Sequence, residues 1–533
     1  MREKEKNGMI ERAIENWLIN TNERNYQTAF CQVLLHKGHK IIYVSSHRSM
    51  EQGKDIVTID ENGDYCAYQL KTGNIDLNKW RNILGEVKEL IELPITHPSV
   101  DKTKIHKSFL VANGEITDEV RIQIDQMNED NQRKGRMYSY LDIINGQTLL
   151  KEFIDAQGEF IPKDLENFRL FLELFLTDGG DFLPKDNFFS FLNNAIFSDI
   201  PKQKSKAISS ISSSVIMTTY MLSPYQIKNN FYALFEAWTS LGACIVRYAQ
   251  KAKLKKEDWI GSFNLVKSEI IRSLSLLKNE TLKREDFLEG DWLGDGGLIY
   301  RARATIVLGT LAALEVYLHK TNESYVKDEK LLKSIKDNIR ILWCWGESAF
   351  PYFFNIIKYL EFSNEKQIAQ SLLKALLEAI IKSNSPKSQA GLSTPYYSAS
   401  DILEAVLGIN TERTDFSQFA GSSYILELII LMLARRDRRE ILEKNWRKIS
   451  HIQFKEFKLD DIEDIFLWRT EKGVNHAEFP KMTQSWKELV KEANDFSRVP
   501  DLYLEYLDLL NFFLLVCPHR INKAIIGLLD KKY

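Results

Sequence analysis

The chain has 533 residues, enough for two to four domains, and it is 44% hydrophobic and 11% aromatic. This composition is typical of a folded globular protein and argues against an intrinsically disordered one. The formal net charge is −2, so no overall positive field points to nucleic acid, although a neutral chain can still carry a local basic groove.

The cysteines and the amino terminus indicate a reduced, cytoplasmic protein. The five cysteines are scattered and none belongs to a C-x-x-C pair, which argues against a disulfide framework and against a cysteine-based zinc site. The first residues, MREKEKNGMIERAIENWL, lack the apolar segment of a signal peptide. The apolar runs 424–434 and 509–517 are shorter than the ~20 residues of a membrane span. We therefore predict a cytoplasmic location and no membrane partner.

The pattern of the first third of the chain predicts a compact α/β unit. Helices are predicted over 9–21 and 26–36, and strands over 40–46, 54–60 and 64–71, with Asn62-Gly63 as a hairpin turn. A helix over 76–92, a strand over 106–113, a helix over 117–131 and a final strand and turn over 136–146 follow. The predicted order is α-α-β-β-β-α-β-α-β, and the unit ends near residue 155.

The remainder of the chain is predicted to be helical. Apolar residues recur at helical spacing in segments such as 227–248, 372–381 and 503–517. The polar stretches 201–214 and 382–400 are candidate points of subdivision, and the second is either a linker or a long surface loop. The predicted fold is thus an α/β domain, residues 1–155, followed by a large all-α region, residues 156–533.

The ends of the predicted hairpin bring polar residues together. Asp55 opens the first strand, and Gln69 and Lys71 share a face of the second because alternate residues of a strand point the same way. Mg²⁺ prefers oxygen ligands, so we expect it to bind Asp55, the carbonyl of Leu70 and the side-chain oxygen of Gln69. Lys71 would then lie beside an attacking water and stabilise the transition state of phosphodiester cleavage. The alternative is a surface hairpin whose polar residues are merely solvated.

These residues also carry a family resemblance. Gly53-x-Asp55, followed fourteen positions after Asp55 by Gln69-x-Lys71, resembles the PD-(D/E)XK nuclease motif, and the glutamine is similar to that of Mrr-like restriction endonucleases and antiphage nuclease effectors. The segments YQTAFCQVLLHKGH, SFLVAN and YLDIINGQTLLKEF agree with this family. The resemblance covers about residues 9–152 and implies a restriction-endonuclease-like fold that cleaves DNA with Mg²⁺ or Mn²⁺.

One departure from the family pattern concerns the metal ligands. Gln69 replaces the second acid, which leaves Asp55 as the one certain carboxylate. Glu15 and Glu51 are candidates for a further ligand, as are Glu11 and Glu23. Relatives often have Glu or Gln on the helix before the core, and Gln27 matches that position.

Several other polar residues are candidates for binding nucleic acid. His47 and Arg48 could contact a phosphate or take part in proton transfer, or they belong to an ordinary polar loop. Lys54 points away from Asp55 and is either structural or a distal phosphate contact. The basic runs 131–136, with Arg133, Lys134 and Arg136, and 434–448, with Trp446, either line a nucleic-acid path or are solvated helix faces.

The predicted function is that of a metal-dependent DNA endonuclease. The resemblance implies an effector of bacterial antiphage defence whose helical region senses a trigger, oligomerises or binds a partner, such as another defence protein or a nucleotide signal. One site per chain cuts one strand at a time, so cleavage of both strands implies at least a homodimer. The alternative is a catalytically silent nuclease fold that binds nucleic acid or supports an assembly, but the presence of both Asp55 and Lys71 argues against it.

Overall fold

The computed structural model describes residues 3–45, 52–98, 100–101, 104–136, 140–157, 165–283, 296–322, 324–385, 388, 391–409, 416–468 and 474–533. The described chain divides into two compact units, Met1–Ile270 and Ile271–Tyr533. The first contains a mixed β-sheet with its helices, and the second is largely helical.

The elements of the first unit follow the predicted order. Its strands are β1 (Lys40–Val44), β2 (Ile56–Ile59), β3 (Tyr65–Lys71), β4 (His106–Ala112) and β5 (Leu141–Ile144). Its helices are α1 (Glu3–Asn20), α2 (Glu23–His36), α3 (Leu77–Glu92), α4 (Asp118–Arg133), α5 (Gly146–Gln157), α6 (Leu165–Phe175), α7 (Lys185–Ser190), α8 (Lys204–Met221), α9 (Ser223–Ile227), α10 (Phe231–Lys251) and α11 (Lys256–Lys283), the last of which crosses the unit boundary. A π-helical turn, Phe191–Ile196, follows α7. The α-α-β-β-β-α-β-α-β order up to β5 is confirmed.

Among the described residues, the strands of this unit form a five-stranded sheet in the order β1-β2-β3-β4-β5. The first three strands are antiparallel neighbours, and Ile56 pairs with Tyr68 across the predicted hairpin. Strands β3, β4 and β5 are parallel, and Lys71 pairs with Ala112. The carboxyl end of β3, which carries Gln69 and Lys71, therefore lies beside the start of β2.

The two faces of β3 pack against different helices. Ala67 belongs to a buried cluster that includes Trp80 and Val87 of α3. Tyr68 faces the other way, stacks on Phe109 at 4.8 Å and meets the edge of Phe30 of α2 at 5.5 Å. Since side chains alternate along a strand, the face of Ala67 also carries the two motif residues that follow it on β3. These two side chains therefore point toward α3.

A buried asparagine fastens the turn after β3 to the first helix. The Asn113 side chain is 2% exposed, and its Oδ1 accepts a hydrogen bond from the amide of Gly73 at 2.5 Å. Its Nδ2 donates to the carbonyls of Leu18 and Thr21 at 2.6 and 2.9 Å. The next turn continues this network, because the amide of Gly146 donates to the carbonyl of Gly114 at 2.9 Å. The turns after three neighbouring strands are thus bonded to one another.

The polar stretch 201–214, predicted as a break, is instead mostly helical. Helix α8 begins at Lys204, and its Ser212, Ser213 and Ser214 are buried. Small hydroxyl side chains allow close packing, and Ser214 satisfies its hydroxyl by donating to the carbonyl of Ile211 at 2.6 Å. The polar composition suggested a point of subdivision, whereas the packing uses these serines in a helix interior.

The second unit contains more helices and a small sheet. Its helices are α12 (Gly296–Thr321), α13 (Glu329–Asn338), α14 (Phe350–Phe362), α15 (Lys366–Ser383), α16 (Ala399–Val406), α17 (Leu426–Arg435), α18 (Arg439–Ile449), α19 (Trp486–Ala493), α20 (Asp501–Glu505), α21 (Leu507–Val516) and α22 (Lys523–Lys532). Short 3-10 helices lie at Glu347–Ala349, Phe416–Phe419, Ile462–Phe466 and Pro518–Arg520. Among the residues described, β6 (Ser422–Ser423), β7 (Gln453–Lys458) and β8 (Val474–Glu478) form a three-stranded sheet. The prediction of an all-α region was therefore wrong in this detail.

One helix of the second unit resembles a membrane span by length and composition. The segment Gly297–Thr321 of α12 has a mean hydropathy of 1.3 over its most apolar window, of which 61% is buried. Core helices of soluble proteins meet the same criterion. Glu315 within this segment is buried and accepts a hydrogen bond from Lys278 at 2.7 Å. A paired acid and extensive burial are typical of a core helix.

A buried ionic network holds the last helix in place. Asp530 of α22 accepts hydrogen bonds from both terminal nitrogens of Arg436, at 2.8 and 2.6 Å. Lys358 and Arg435 approach the same carboxylate at 3.4 and 3.3 Å. Burial alone would raise the pKa of Asp530, but the hydrogen bonds from Arg436 and the neighbouring cations outweigh it and lower the pKa below its usual value. The carboxylate therefore stabilises the folded second unit.

Replacing Asp530 tests this network. Asp530→Ala should destabilise the second unit by about 3–5 kcal/mol, because buried Arg435 loses its ion pair and Arg436 and Lys358 keep only Glu361. Because the folded pKa is lowered, this contribution is present above the unfolded pKa of about 4 and is lost as the pH falls through the folded pKa. Chemical denaturation followed by circular dichroism measures both effects. Asp460 is exposed, so Asp460→Ala is the control. If Asp530→Ala lost no more stability than Asp460→Ala, the stabilising role of Asp530 would be contradicted.

Candidate active site

Asp55 lies at the entrance of β2 and is held on three sides. Its amide donates to the carbonyl of Tyr68 at 2.8 Å, and its own carbonyl accepts from the amide of Ser45 at 2.7 Å. Its side-chain Oδ2 accepts from the amide of Leu70 at 2.7 Å. The carboxylate is therefore fixed against the end of β3, next to the predicted Gln69-x-Lys71 pair.

Gln69 and Lys71 meet on one carboxylate oxygen of Glu86. Nε2 of Gln69 donates to Oε2 of Glu86 at 2.9 Å, and Nζ of Lys71 lies 2.6 Å from the same oxygen. The Lys71 side chain is 13% exposed and that of Glu86 is 54% exposed. The two motif residues thus share a face, and α3 adds an acid that the sequence analysis did not identify.

The main chain of Leu70 points toward Asp55. On the β4 side, the carbonyl of Lys71 accepts from the amide of Asn113 at 3.3 Å. Peptide groups alternate in direction along a strand, so those of Leu70 point to the opposite edge, where its amide bonds Asp55. The carbonyl of Leu70 faces this edge too, on the side of Asp55.

The donor set of these residues fits a hard divalent cation. Oε1 of Gln69 is one of several buried polar atoms without a hydrogen-bond partner in the described part of the chain, and among the motif residues Asp55, Gln69 and Lys71 it is the one that belongs to this group. With the carboxylates of Asp55 and Glu86 and the carbonyl of Leu70, it makes an all-oxygen set, which Mg²⁺ and Mn²⁺ prefer. Among the described residues no group of three or more His, Cys, Asp or Glu could hold a metal, so such a site depends on the amide and the carbonyl.

The segment before Asp55 is attached to α3. Gly53 has a φ of +70°, and a Cβ there would lie 2.4 Å from the carbonyl oxygen of Glu86. Nζ of Lys54 donates to the carbonyls of Gln52 and Glu89, both at 3.1 Å. Lys54 is 4% exposed, so of its two predicted roles the structure supports the structural one. The same helix thereby positions Glu86 and the chain that leads into Asp55.

Helix α2 contacts the backbone of the site from the other side. Nε2 of Gln27 donates to the carbonyl of Asp55 at 3.4 Å, and the Tyr26 hydroxyl donates to the carbonyl of Lys71 at 3.1 Å. Glu23 accepts a hydrogen bond from the amide of Thr72 at 3.1 Å. Burial, and secondly the carboxylates of Glu23 and Asp55, raise the pKa of Tyr26 well above its usual range, so its hydroxyl stays protonated and donates. Gln27 therefore contacts Asp55 through the main chain.

The other predicted residues have different surroundings. Glu15 is exposed on α1. His47, Arg48 and Glu51 lie outside the described residues.

The two basic runs are partly neutralised by acids. Arg133 lies at the end of α4, 3.1 Å from Glu129, and Arg136 lies 3.9 Å from Glu92. Lys134 follows α4, and its amide donates to a carbonyl of that helix. In the second unit, Arg435 and Arg436 of the run 434–448 belong to the buried Asp530 network. These two arginines therefore do not line a nucleic-acid path.

Substituting Gly53 tests its close contact with α3. Gly53→Ala should place a methyl group against the Glu86 carbonyl, displace the segment before Asp55 and lower both stability and divalent-ion affinity. Gly63 is the matched control, since its φ is +84° but a Cβ there has open space. Gly63→Ala should cost only the ~1–2 kcal/mol of left-handed backbone. Denaturation measures the stability of both variants, and titration calorimetry measures their affinity for Mn²⁺. If Gly53→Ala and Gly63→Ala changed stability and Mn²⁺ affinity equally, the close contact at Gly53 would be refuted.

Buried Lys54 should make the stability of the fold rise with pH in the alkaline range. Its burial, opposed by the Glu89 carboxylate, lowers the pKa of Lys54 from 10.5 to about 8. Between these pH values the unfolded chain binds more protons than the folded one, so stability due to this residue rises with pH, by at most about 1.4 kcal/mol per pH unit. The stability of wild type relative to Lys54→Met should therefore increase from pH 8 to pH 10. Denaturation midpoints at several pH values measure this difference, and a pH-independent difference would contradict it.

No protein-family model, curated protein or solved structure matches the chain. The resemblance to PD-(D/E)XK nucleases therefore rests on the motif, and the nuclease family remains a prediction.

Proposed function

We propose that the chain is a metal-dependent endonuclease whose site consists of Asp55, Gln69, Leu70, Lys71 and Glu86. The observation that carries the proposal is the unpaired, buried Oε1 of Gln69, on the side chain whose Nε2 bonds Glu86. An amide oxygen kept from water without a partner is costly. A bound cation would remove that cost. The motif normally has a second acid at the position of Gln69. In this proposal Glu86 supplies that second carboxylate instead.

Each side chain has a distinct task in this proposal. Asp55, Glu86, Oε1 of Gln69 and the Leu70 carbonyl would hold Mg²⁺ or Mn²⁺, which when bound would polarise the phosphodiester and acidify a water molecule. Lys71 places its ammonium where negative charge develops on the phosphate. Two acids and one base give the site a formal charge of −1, which attracts a divalent cation.

The ion pair between Lys71 and Glu86 links these tasks. The Lys71 ammonium is 2.6 Å from the carboxylate oxygen that also accepts from Gln69. A cation held by Glu86 would compete with the ammonium for that oxygen, and Lys71 would then be available to the phosphate or the water. Glu86 thus serves as the resting counterion of the lysine as well as a metal ligand.

The substrate and the biological role come from the resemblance. Mrr-like enzymes act on DNA, and we propose double-stranded DNA as the substrate and antiphage defence as the context. Cleavage of both strands in one encounter requires two sites, which implies at least a dimer. A trigger, either a protein or a nucleotide, would act through the helical region.

One observation favours a second function, that of a silent nucleic-acid-binding or assembly module. Lys71 is neutralised by Glu86, and the carboxylates of the proposed site are only Asp55 and Glu86 among the described residues. If this pair never opens, the fold would bind nucleic acid without cutting it. Calorimetric titration with Mn²⁺ separates the two functions, because the module has no need of a cation.

Substitutions at three positions test the proposed site. Asp55→Ala, Lys71→Ala and Glu86→Ala should each lower plasmid cleavage with Mg²⁺ by ~100-fold or more, because each removes charge that acts on the transition state or holds the cation. EDTA should abolish cleavage by the wild type. Asp55→Ala and Glu86→Ala should also weaken Mn²⁺ binding, whereas Lys71→Ala should not.

Glu92→Ala on the same helix is the matched control for Glu86→Ala and should cut like the wild type. Cleavage by Asp55→Ala at the wild-type rate would disprove the site. Loss of activity in Asp55→Ala but not in Glu86→Ala would remove Glu86 from it.

A further inference from the structure

Helix α2 presents different residues on two opposite faces. Glu23, Tyr26 and Gln27 bond the backbone of Thr72, Lys71 and Asp55. At 100° per residue, the residues at 28, 32 and 35 lie on the far side of the helix. That far face packs on helices that come after the α/β part of the chain.

The far face of α2 is bonded to α8 and α11. The Thr28 hydroxyl donates to Oε1 of Glu269 at 2.5 Å, and Nε2 of Gln32 donates to the hydroxyl of Ser212 at 3.1 Å. Both acceptors are buried, with Glu269 8% and Ser212 4% exposed. These contacts join positions 241 and 180 residues apart in the chain.

Helix α11 also approaches α2 closely at a second point. A Cβ added at Gly261 would lie 3.0 Å from Cδ2 of Leu35. Leu35 follows Thr28 by seven positions, whereas Gly261 precedes Glu269 by eight, so the two helices run antiparallel along this contact. The Cys31 side chain between these points is fully buried. Burial, and secondly the Glu269 carboxylate, raise the pKa of its thiol.

The hydrogen bonds on both faces make α2 a rigid link. A shift of the helix would take the acceptors on α8 and α11 away from the buried Thr28 hydroxyl and the buried Gln32 amide, at a cost of about 1–3 kcal/mol each. The same shift would displace the carbonyls of Asp55 and Lys71, which α2 bonds, and with them the strand ends that carry the proposed ligands. A displacement of ~1 Å is enough to lower turnover strongly.

We infer that Glu269 is a positioning residue for the site, which it holds in register through Thr28 and α2, and that helices α8 and α11 belong to the catalytic unit. This inference rests on the proposed nuclease function. It implies that the site responds to any signal that moves α11, since the bonds of α2 transmit the shift to Asp55 and Lys71. It also implies that a fragment of residues 1–155 lacks the two helices, α8 and α11, that support α2.

Variants of the full-length chain test the inference. Glu269→Ala removes the acceptor of the Thr28 hydroxyl, while Glu269→Gln keeps an oxygen there and should restore function. Glu257→Ala is the matched control, because Glu257 lies on the same helix with its side chain 73% exposed. Plasmid cleavage with Mg²⁺ gives kcat and KM, and hydrogen exchange of peptides covering 23–36 and 65–72 reports on α2 and β3 without requiring activity.

Glu269→Ala should lower kcat about 10-fold or more at a KM within about twofold of the wild type. It should also speed exchange in both peptides, whereas Glu269→Gln and Glu257→Ala should match the wild type in both assays. Faster exchange confined to 23–36, with kcat unchanged, would overturn the inference and leave the proposed function standing. If wild type itself does not cut, the proposed function fails, and the exchange of 65–72 alone decides whether Glu269 positions β3.

Discussion

One carboxylate oxygen, Oε2 of Glu86, accepts hydrogen bonds from both the Gln69 amide and the Lys71 ammonium. This shared acceptor orients two side chains that would otherwise move independently at the end of β3. It also turns the Gln69 amide so that its nitrogen is bonded and its oxygen has no partner in the described part of the chain. The chemistry proposed for the site depends on this orientation, because the amide could supply only a donor if it were reversed.

Glu86 can act in this way only because α3 is held firmly. Gly53 permits close approach of the backbone to this helix, and Lys54 and His106 bond the carbonyls of its last turn, at Glu89 and Leu90. Burial lowers the pKa of His106, so it remains neutral at physiological pH. From the opposite side, α2 bonds the main chain of both motif strands. The site therefore lies between two helices that are each anchored by buried polar contacts.

Much of this arrangement could be predicted from local patterns. The Asn62-Gly63 turn and two alternating runs identify the hairpin, and a spacing of two places Gln69 and Lys71 on one face. Glu86 was missed because its role depends on how α3 crosses the sheet. The available signal was weak, an acid next to buried Val87 in the helix that follows the motif.

Two further predictions from the sequence were wrong for the same reason, which is that packing between distant segments decides the structure. The serines of α8 form a polar stretch that suggested a point of subdivision, yet they are buried inside a helix. Strand β7 pairs with β6 in parallel and is mostly half-buried, so it lacks the clear alternation of an exposed hairpin. In both cases the neighbours that decide the structure are distant in sequence.

The bonded turns after β3, β4 and β5 have a consequence for how such a protein can diversify. Enzymes with parallel strands commonly acquire new specificities by lengthening the loops at the carboxyl edge of the sheet. Here Asn113 ties one turn to α1, and a Cβ at Gly114 would collide with the backbone of Gly73 and Asn74. Insertions at these turns would break the hydrogen bonds that fix the end of β3, where Lys71 lies. Under the proposed function, variation in substrate recognition would therefore arise on other surfaces, and these three turns would keep their length while those surfaces change.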